Sequence, residues 1–409
     1  MSEARMNPTP VVAEPGPASS GVSGRIGTVD AVLSILLVTI GLGNLVLPVE
    51  LQSVGGIDYL LGSLMLVAVL LLFRLRLILK QIRHPALMLL FAATLVPGLV
   101  ATEPNAYGTQ KMLGFGIAFV LLIAPAAFAD YQKCVRFMVA CVSVLSVGFS
   151  LLVLFGSVAS SSGRLSVLGM NPIGIARVTA LFAIVGVVLL VVGARPVHRI
   201  LIVLGIVASL VATITTGSRG PLLGVVIAAV LSLMAVASRR RLRPFALVVL
   251  AVALGLGYYW LQASANIGFQ RVLVGDDSGR GPLYQLATEL AWQRPGGIGW
   301  GNFAFYAPSW VEPGSVTLYP HNIELEFWLE GGIVALIGLL MLVGTASVCS
   351  FRSYREGGTA LQLIVFALIV FTVANAQFSS DIVGNRFLWL ALGLAFAGHV
   401  RLKERPKRW

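Results

Sequence analysis

Charge is what this sequence has least of. Only 11% of its 409 residues are Asp, Glu, Lys or Arg, against about 25% in an ordinary soluble chain. So little charge excludes a water-covered globular exterior. With 57% of residues hydrophobic, lipid is expected to cover most of the surface. Cysteine is nearly absent: Cys134, Cys141 and Cys349 lie in or beside apolar runs and none falls in the longest polar loop, so neither a disulfide framework nor a zinc site is expected. The chain has no P-loop, no dinucleotide fingerprint, no clustered metal ligands and no Gly-x-Ser-x-Gly elbow, so no metal or nucleotide cofactor is expected. Acidic residues number 17 against 29 basic ones, for a net charge of +12. The basic residues do not share a face. They punctuate apolar runs, as in FRLRLILKQIRH and SRRRLRP, which is the pattern of membrane topology and not of a nucleic-acid partner.

What the sequence does contain is a succession of apolar windows of spanning length, at 26–48, 57–73, 85–101, 112–129, 135–156, 172–193, 198–216, 220–237, 244–262, 321–349, 359–378 and 383–400. The fold class expected is all-α: a polytopic integral membrane protein with about twelve transmembrane helices. Residues 1–24, rich in Pro, Gly, Ser and Ala, read as a disordered cytoplasmic tail. Helices one to nine occupy 25–262, a large external loop with short helices occupies 263–320, helices ten to twelve occupy 321–400, and 401–409 is a basic cytoplasmic tail. With the N-terminus in the cytoplasm, 21 Lys and Arg fall on the cytoplasmic side and 8 on the other. That bias sets both termini inside.

Because the external side is poor in cations, each one there needs a reason. Arg219 lies in ITTGSRGPLLG, a tight link that opens a helix; helix-start amides and a guanidinium together make an anion site, although a snorkelling arginine has the same signature. Arg280 opens SGRGPLYQLATELAWQ, an amphipathic loop helix with Leu283, Leu286, Leu290 and Trp292 on its apolar side. It reads equally as a phosphate ligand or as a partner of Asp276 or Asp277. A Gly-rich turn cluster, RPGGIGWGNF, follows. His321, in YPHNIELEFWLEGG, is the one histidine on the external side, and it is expected in the first turn of the tenth span. There the helix dipole favours a neutral imidazole, which suits a general base; a capping or interface histidine is the other reading. Glu324, three residues on, is placed to orient the ring. Glu326 and Glu330 share another face, expected to border a polar cavity. Arg164 and Arg177, flanking the sixth span, are further candidates for that cavity, and Asp381 and Arg386 read as structural.

The order TGSRGPLLG, then the loop with Pro295, Gly299, Trp300, Gly301 and Phe303, then His321, Asn322, Leu325 and Glu326 resembles the bacterial O-antigen ligase and polymerase family. The resemblance implies an all-helical fold like that of the C-type glycosyltransferases, in the bacterial inner membrane, with the active site facing the periplasm. It implies metal-independent transfer of a polysaccharide from undecaprenyl pyrophosphate to a sugar hydroxyl of lipid A–core oligosaccharide in lipopolysaccharide assembly. The family's essential arginines correspond to Arg219 and Arg280, and its essential histidine to His321. Arg164, Arg177, Asn322, Glu324 and Glu326 are the accompanying candidates for substrate binding. The family also holds O-antigen polymerases and protein O-oligosaccharyltransferases. The moderate loop favours a ligase. A transporter of the same lipid-linked sugar is a rival of another class, disfavoured because no internal repeat is visible.

Overall fold

The computed structural model describes residues 25–46, 53–54, 57–82, 84–156, 158–159, 165–167, 170–193, 196–236, 251, 255, 280–307, 319–356 and 359–403. The expected disordered tail, nearly all of the ninth apolar window, the first part of the long loop and Arg164 lie outside these residues.

The helices are α1 (Thr28–Val46), α2 (Tyr59–Phe73), α3 (Leu75–Gln81), α4 (Pro85–Thr94), α5 (Val96–Ala101), α6 (Ala106–Ile123), α7 (Tyr131–Gly156), α8 (Pro172–Val192), α9 (Pro196–Thr215), α10 (Arg219–Ala235), α11 (Arg280–Gln293), α12 (Ile323–Arg355), α13 (Ala360–Ala376) and α14 (Arg386–Lys403). Among the described residues, strands occur in two antiparallel two-residue hairpins, Ser53–Val54 with Ile57–Asp58 and Val158–Ala159 with Leu165–Ser166. Every apolar window but the ninth coincides with helix, though not always with one helix. Pro97 stands at the start of α5 and interrupts the third window after Thr94, since proline cannot donate within a helix. The second window turns through 77° at Arg74 into α3. Among the described residues, five helices can cross a membrane by length and composition, or six if that bent pair forms one span.

The sequence is apolar on all sides of α8, and α8 is correspondingly buried almost throughout. It packs against α7, α9, α10 and α13, while α14 packs against α6, α12 and α13. Short hydroxyls join the inner helices: Ser146 Oγ donates to Thr179 O at 2.9 Å, and the Thr179 and Thr213 hydroxyls lie 2.9 Å apart. Around this core, large apolar side chains such as Phe73, Val100, Phe155 and Leu204 are exposed. In a chain this poor in charge, such an outer surface matches lipid. At the far end of α6 from the site described below, Arg74 pairs with buried Asp30 and donates to Ala127 O at 2.7 Å.

The feature that positions the site is a break in α12. Gly332 has φ 80° and ψ 175°, so the helix is interrupted there. The freed backbone groups are satisfied by the Gly-rich loop. Ile333 N, which would otherwise close on Leu329 O, donates to Pro295 O at 3.0 Å; Leu329 O instead accepts from Ile298 N at 2.9 Å, and Glu330 O accepts from Gly299 N at 3.0 Å. The loop can reach the helix because Gly297, Gly299 and Gly301 all have left-handed φ. At Gly301 a Cβ would also stand 2.6 Å from the Gly108 backbone of α6, so glycine is required twice over. Between these glycines Trp300 enters the core fully buried. Its Nε1 donates to Leu95 O at 3.0 Å, and its ring meets Phe115 and Phe327 edge-on at 4.8 and 5.4 Å. The loop helix α11 does present an apolar face: Leu283, Ala287 and Ala291 pack on Ile298, Phe303 and Leu329, with Leu286 and Leu290 half-buried beside them. Trp292, expected on that face, is instead 72% exposed and rests its edge on Trp328. Small alanines let α11 approach closely where a tryptophan would hold it off.

Candidate active site

The turn between α13 and α14, residues 377–385, draws together chemistry from four distant parts of the chain. Asp381 builds it: its side chain accepts from Gly384 N at 2.7 Å and its carbonyl from Asn385 Nδ2 at 2.8 Å. Onto this turn Arg177 of α8 donates through Nη2 to the carbonyl and the hydroxyl of Ser379, both at 2.6 Å. Arg280, the first residue of α11, donates to the neighbouring carbonyl of Phe378. Gly220, the second residue of α10, packs against the same Phe378, where a Cβ would stand 3.1 Å from its Cβ. That places Arg219, at the head of α10 after a turn with left-handed Gly217, beside the same turn. Among the described residues, Arg177 and Arg280 are held by the adjacent carbonyls of Ser379 and Phe378; Asp276 and Asp277, the other expected partners of Arg280, lie outside these residues.

The opposite wall is aromatic and leads to the histidine. The Tyr107 hydroxyl donates to Asp381 Oδ2 at 2.6 Å, the Tyr107 ring stacks on Tyr319 at 6.4 Å, and Tyr319 lies 4.4 Å from the imidazole of His321 between ring centroids. Burial, reinforced by the Asp381 carboxylate, pushes the Tyr319 phenol up to about 12, while the nearby Arg177 and Arg280 pull it the other way. Tyr319 is thus a neutral hydroxyl at any physiological pH, lying between the arginines and His321.

His321 itself is not in the first turn of the helix, as the sequence was read. It precedes the N-cap, and Pro320 lies farther out still. Asn322 is the N-cap, with its Oδ1 accepting from Leu325 N at 2.9 Å. Asparagine outcompetes histidine for that position because its short side chain reaches the free amide. The displaced His321 takes φ 59°, and among the described residues the only other non-glycine residue with left-handed φ is Ser380, in the arginine-binding turn. Unusual backbone geometry therefore occurs on both sides of one small region. The dipole argument for a neutral imidazole weakens accordingly, because His321 lies outside the first turn.

The candidate carboxylates have partners within the protein. Glu324 accepts from Gln377 Nε2 at 3.2 Å, which joins the head of α12 to the turn. Glu326 does not border an open cavity. It is fully buried and ion-paired to Lys111 Nζ at 2.6 Å, and Glu330 binds the same ammonium while its Oε2 accepts from Gly301 N at 2.9 Å. Lys111 is one of the eight basic residues that the charge bias assigns to the external side, just ahead of the fourth apolar window. Helix α6 begins at Ala106, which carries Lys111 more than a turn inside it. Its position within a long apolar helix was the one available signal. Tyr107, Tyr319 and the turn at 377–385 were the other participants not selected from the sequence.

These features define a multi-pass helical membrane protein with cations and a histidine gathered at one end of its bundle. Residues 204–340 match the model of a family described as O-antigen ligase. That stretch, about a third of the chain, holds Arg219, Arg280 and His321 and is similar to the O-antigen ligase and polymerase family. No curated protein matches the chain.

Proposed function

We propose that this protein is an O-antigen ligase, which transfers O-antigen polysaccharide from undecaprenyl pyrophosphate to a sugar hydroxyl of lipid A–core oligosaccharide at the periplasmic face of the bacterial inner membrane. The observation that carries this reading is that Arg177 and Arg280 both donate to one turn, against which the head of the helix opened by Arg219 is packed, with Tyr319 and His321 alongside. Like charges gathered in a poorly hydrated place repel one another and are stabilised by an anion. A diphosphate leaving group is such an anion. In the reaction, the acceptor oxygen attacks the anomeric carbon and passes its proton to His321. The bond from that carbon to the diphosphate oxygen breaks, its electron pair leaves with the diphosphate, and the arginines neutralise the developing charge. Direct displacement inverts the anomeric centre. An apolar groove lined by Ile227, Val343, Ile369, Val370 and Val373, with Glu324 and Gln377 among its lining residues, offers a lipid tail a path along the bundle. About twelve spans in a C-type glycosyltransferase arrangement belong to the same reading.

Purified protein given lipid-linked donor and, in parallel, lipid A–core, a second O-antigen unit and a periplasmic protein tests it. Product is expected on lipid A–core. Product on the O-antigen unit alone makes it a polymerase, product on the protein makes it a protein glycosylating enzyme, and movement of donor across vesicles without product makes it a transporter.

Orientation has its own test. The bias of basic residues places Ser278 outside and Ser2 inside. Cysteines at Ser278 and Ser2 are expected to be labelled and unlabelled, respectively, by an impermeant reagent in intact spheroplasts. The reverse pattern would invert the topology.

A further inference from the structure

We propose that Lys111 is a positioning residue that sets the location of His321 through the short inner segment of α12, an inference that rests on the transfer reaction above. The break at Gly332 separates residues 323–331 from the long remainder of α12, and His321 and Asn322 stand at the head of that segment. Its orientation is therefore not inherited from the longer helix: the loop amides of Ile298 and Gly299 hold the carbonyls at its far end, and side-chain contacts set the rest. Lys111 makes the charged one. Its single ammonium holds Glu326 and Glu330, four residues apart on one face of the segment, and all three side chains are fully buried. A cation clamped between carboxylates one turn apart fixes both the rotation of the segment and its height. A slip of one residue, about 100° and 1.5 Å, breaks both contacts.

The clamp is itself anchored. Gly301 N binds Glu330 from the loop, and Gly301 packs on Gly108, one turn before Lys111 in α6. Lys111 Nζ lies 4.8 Å from the centre of the Tyr107 ring, and Tyr107 reaches Tyr319 and Asp381. One stretch of α6 thus touches the segment that carries the histidine, the tyrosine beside it and the turn that holds the arginines. Apolar side chains of similar volume would hold the segment as firmly at lower desolvation cost, but they are indifferent to its rotation. An ion triad is not. Lys111 lies outside the stretch that matches the family, so the assignment comes from this geometry.

The test uses purified full-length protein with lipid-linked donor and lipid A–core. Lys111→Met leaves two buried carboxylates unpaired and need not fold, so the informative variant combines it with Glu326→Gln and Glu330→Gln. This neutral triple variant is expected to insert and to unfold near the wild-type temperature. Its kcat should fall at least ~10-fold, since ångström-scale misplacement of a reacting group is costly, with donor KM within about 2-fold. Lys111→Arg, which keeps the charge in a different shape, is expected to lie between. The decisive comparison repeats the triple in a His321→Ala background: a residue acting through His321 costs nothing further once His321 is gone. Wild-type kcat in the triple, or an equal loss with and without His321, overturns the assignment. Should His321→Ala transfer normally, the reaction and the assignment both fall. Should His321→Ala abolish transfer while the triple is normal, only the role of Lys111 falls.

Discussion

His321→Ala is expected to insert, to bind lipid-linked donor, and to lose transfer by ~10²–10⁴ in rate. Donor binding should survive because the arginines carry the recognition of charge, and Arg177 and Arg280 are held by the carbonyls of Ser379 and Phe378. Transfer should not, because an unassisted sugar hydroxyl is a poor nucleophile. The backbone dictates the control. Residue 321 has φ 59°, a conformation that costs an ordinary residue about 1–2 kcal/mol and that asparagine tolerates. His321→Asn therefore preserves the turn, keeps a hydrogen-bond donor and removes the basicity. Turnover close to wild type in that variant, with the same pH dependence between about pH 5 and 8, would leave His321 a binding residue and end its assignment as general base.

Arg219→Ala and Arg280→Ala should each lower the rate by ~10²–10³, the usual cost of removing a preorganised group from developing negative charge. The lysine variants should recover little. Arg280 spends part of its guanidinium on the Phe378 carbonyl and needs the rest of its planar fork for the ligand, whereas an ammonium has no fork to divide. Rates are to be compared at equal expression, with donor binding measured separately. Full activity in either alanine variant would remove that arginine from the anion site.

The helices were legible because lipid imposes a long, regular apolar signal that a single chain displays without help from its partners. Arg219 and Arg280 were legible as helix openers because Gly-Ser-Arg-Gly-Pro and Ser-Gly-Arg-Gly-Pro are local turn chemistry. The pairing of Lys111 with Glu326 and Glu330 was not, since charges more than two hundred residues apart leave no mutual trace in one sequence. The exact start of α12 was misread for a different reason. Histidine after proline looked like a helix opening, but the asparagine one position later is the better cap, and it moved the histidine out of the helix. Trp292 was placed inside on hydrophobicity, where close approach of α11 favoured Ala287 and Ala291. The turn at 377–385 looked like a simple connection because it meets Arg280, and in part Arg177, through carbonyl oxygens, which every residue has.

The Gly-rich loop lends its amides and a carbonyl to the broken helix and its tryptophan to the interior. It is thus part of the bundle's wiring and not an appendage laid over it. Exchange of this loop between relatives therefore cannot be modular. A graft would have to bring Gly331, Gly332, the α5–α6 corner that receives Trp300 and the glycine at 108, or the two halves of α12 would be left with unmatched backbone groups inside the membrane. The loop is then inherited as a block with residues 95–108 and 331–332, and diversification by recombination is confined to whatever parts of the loop make none of these bonds.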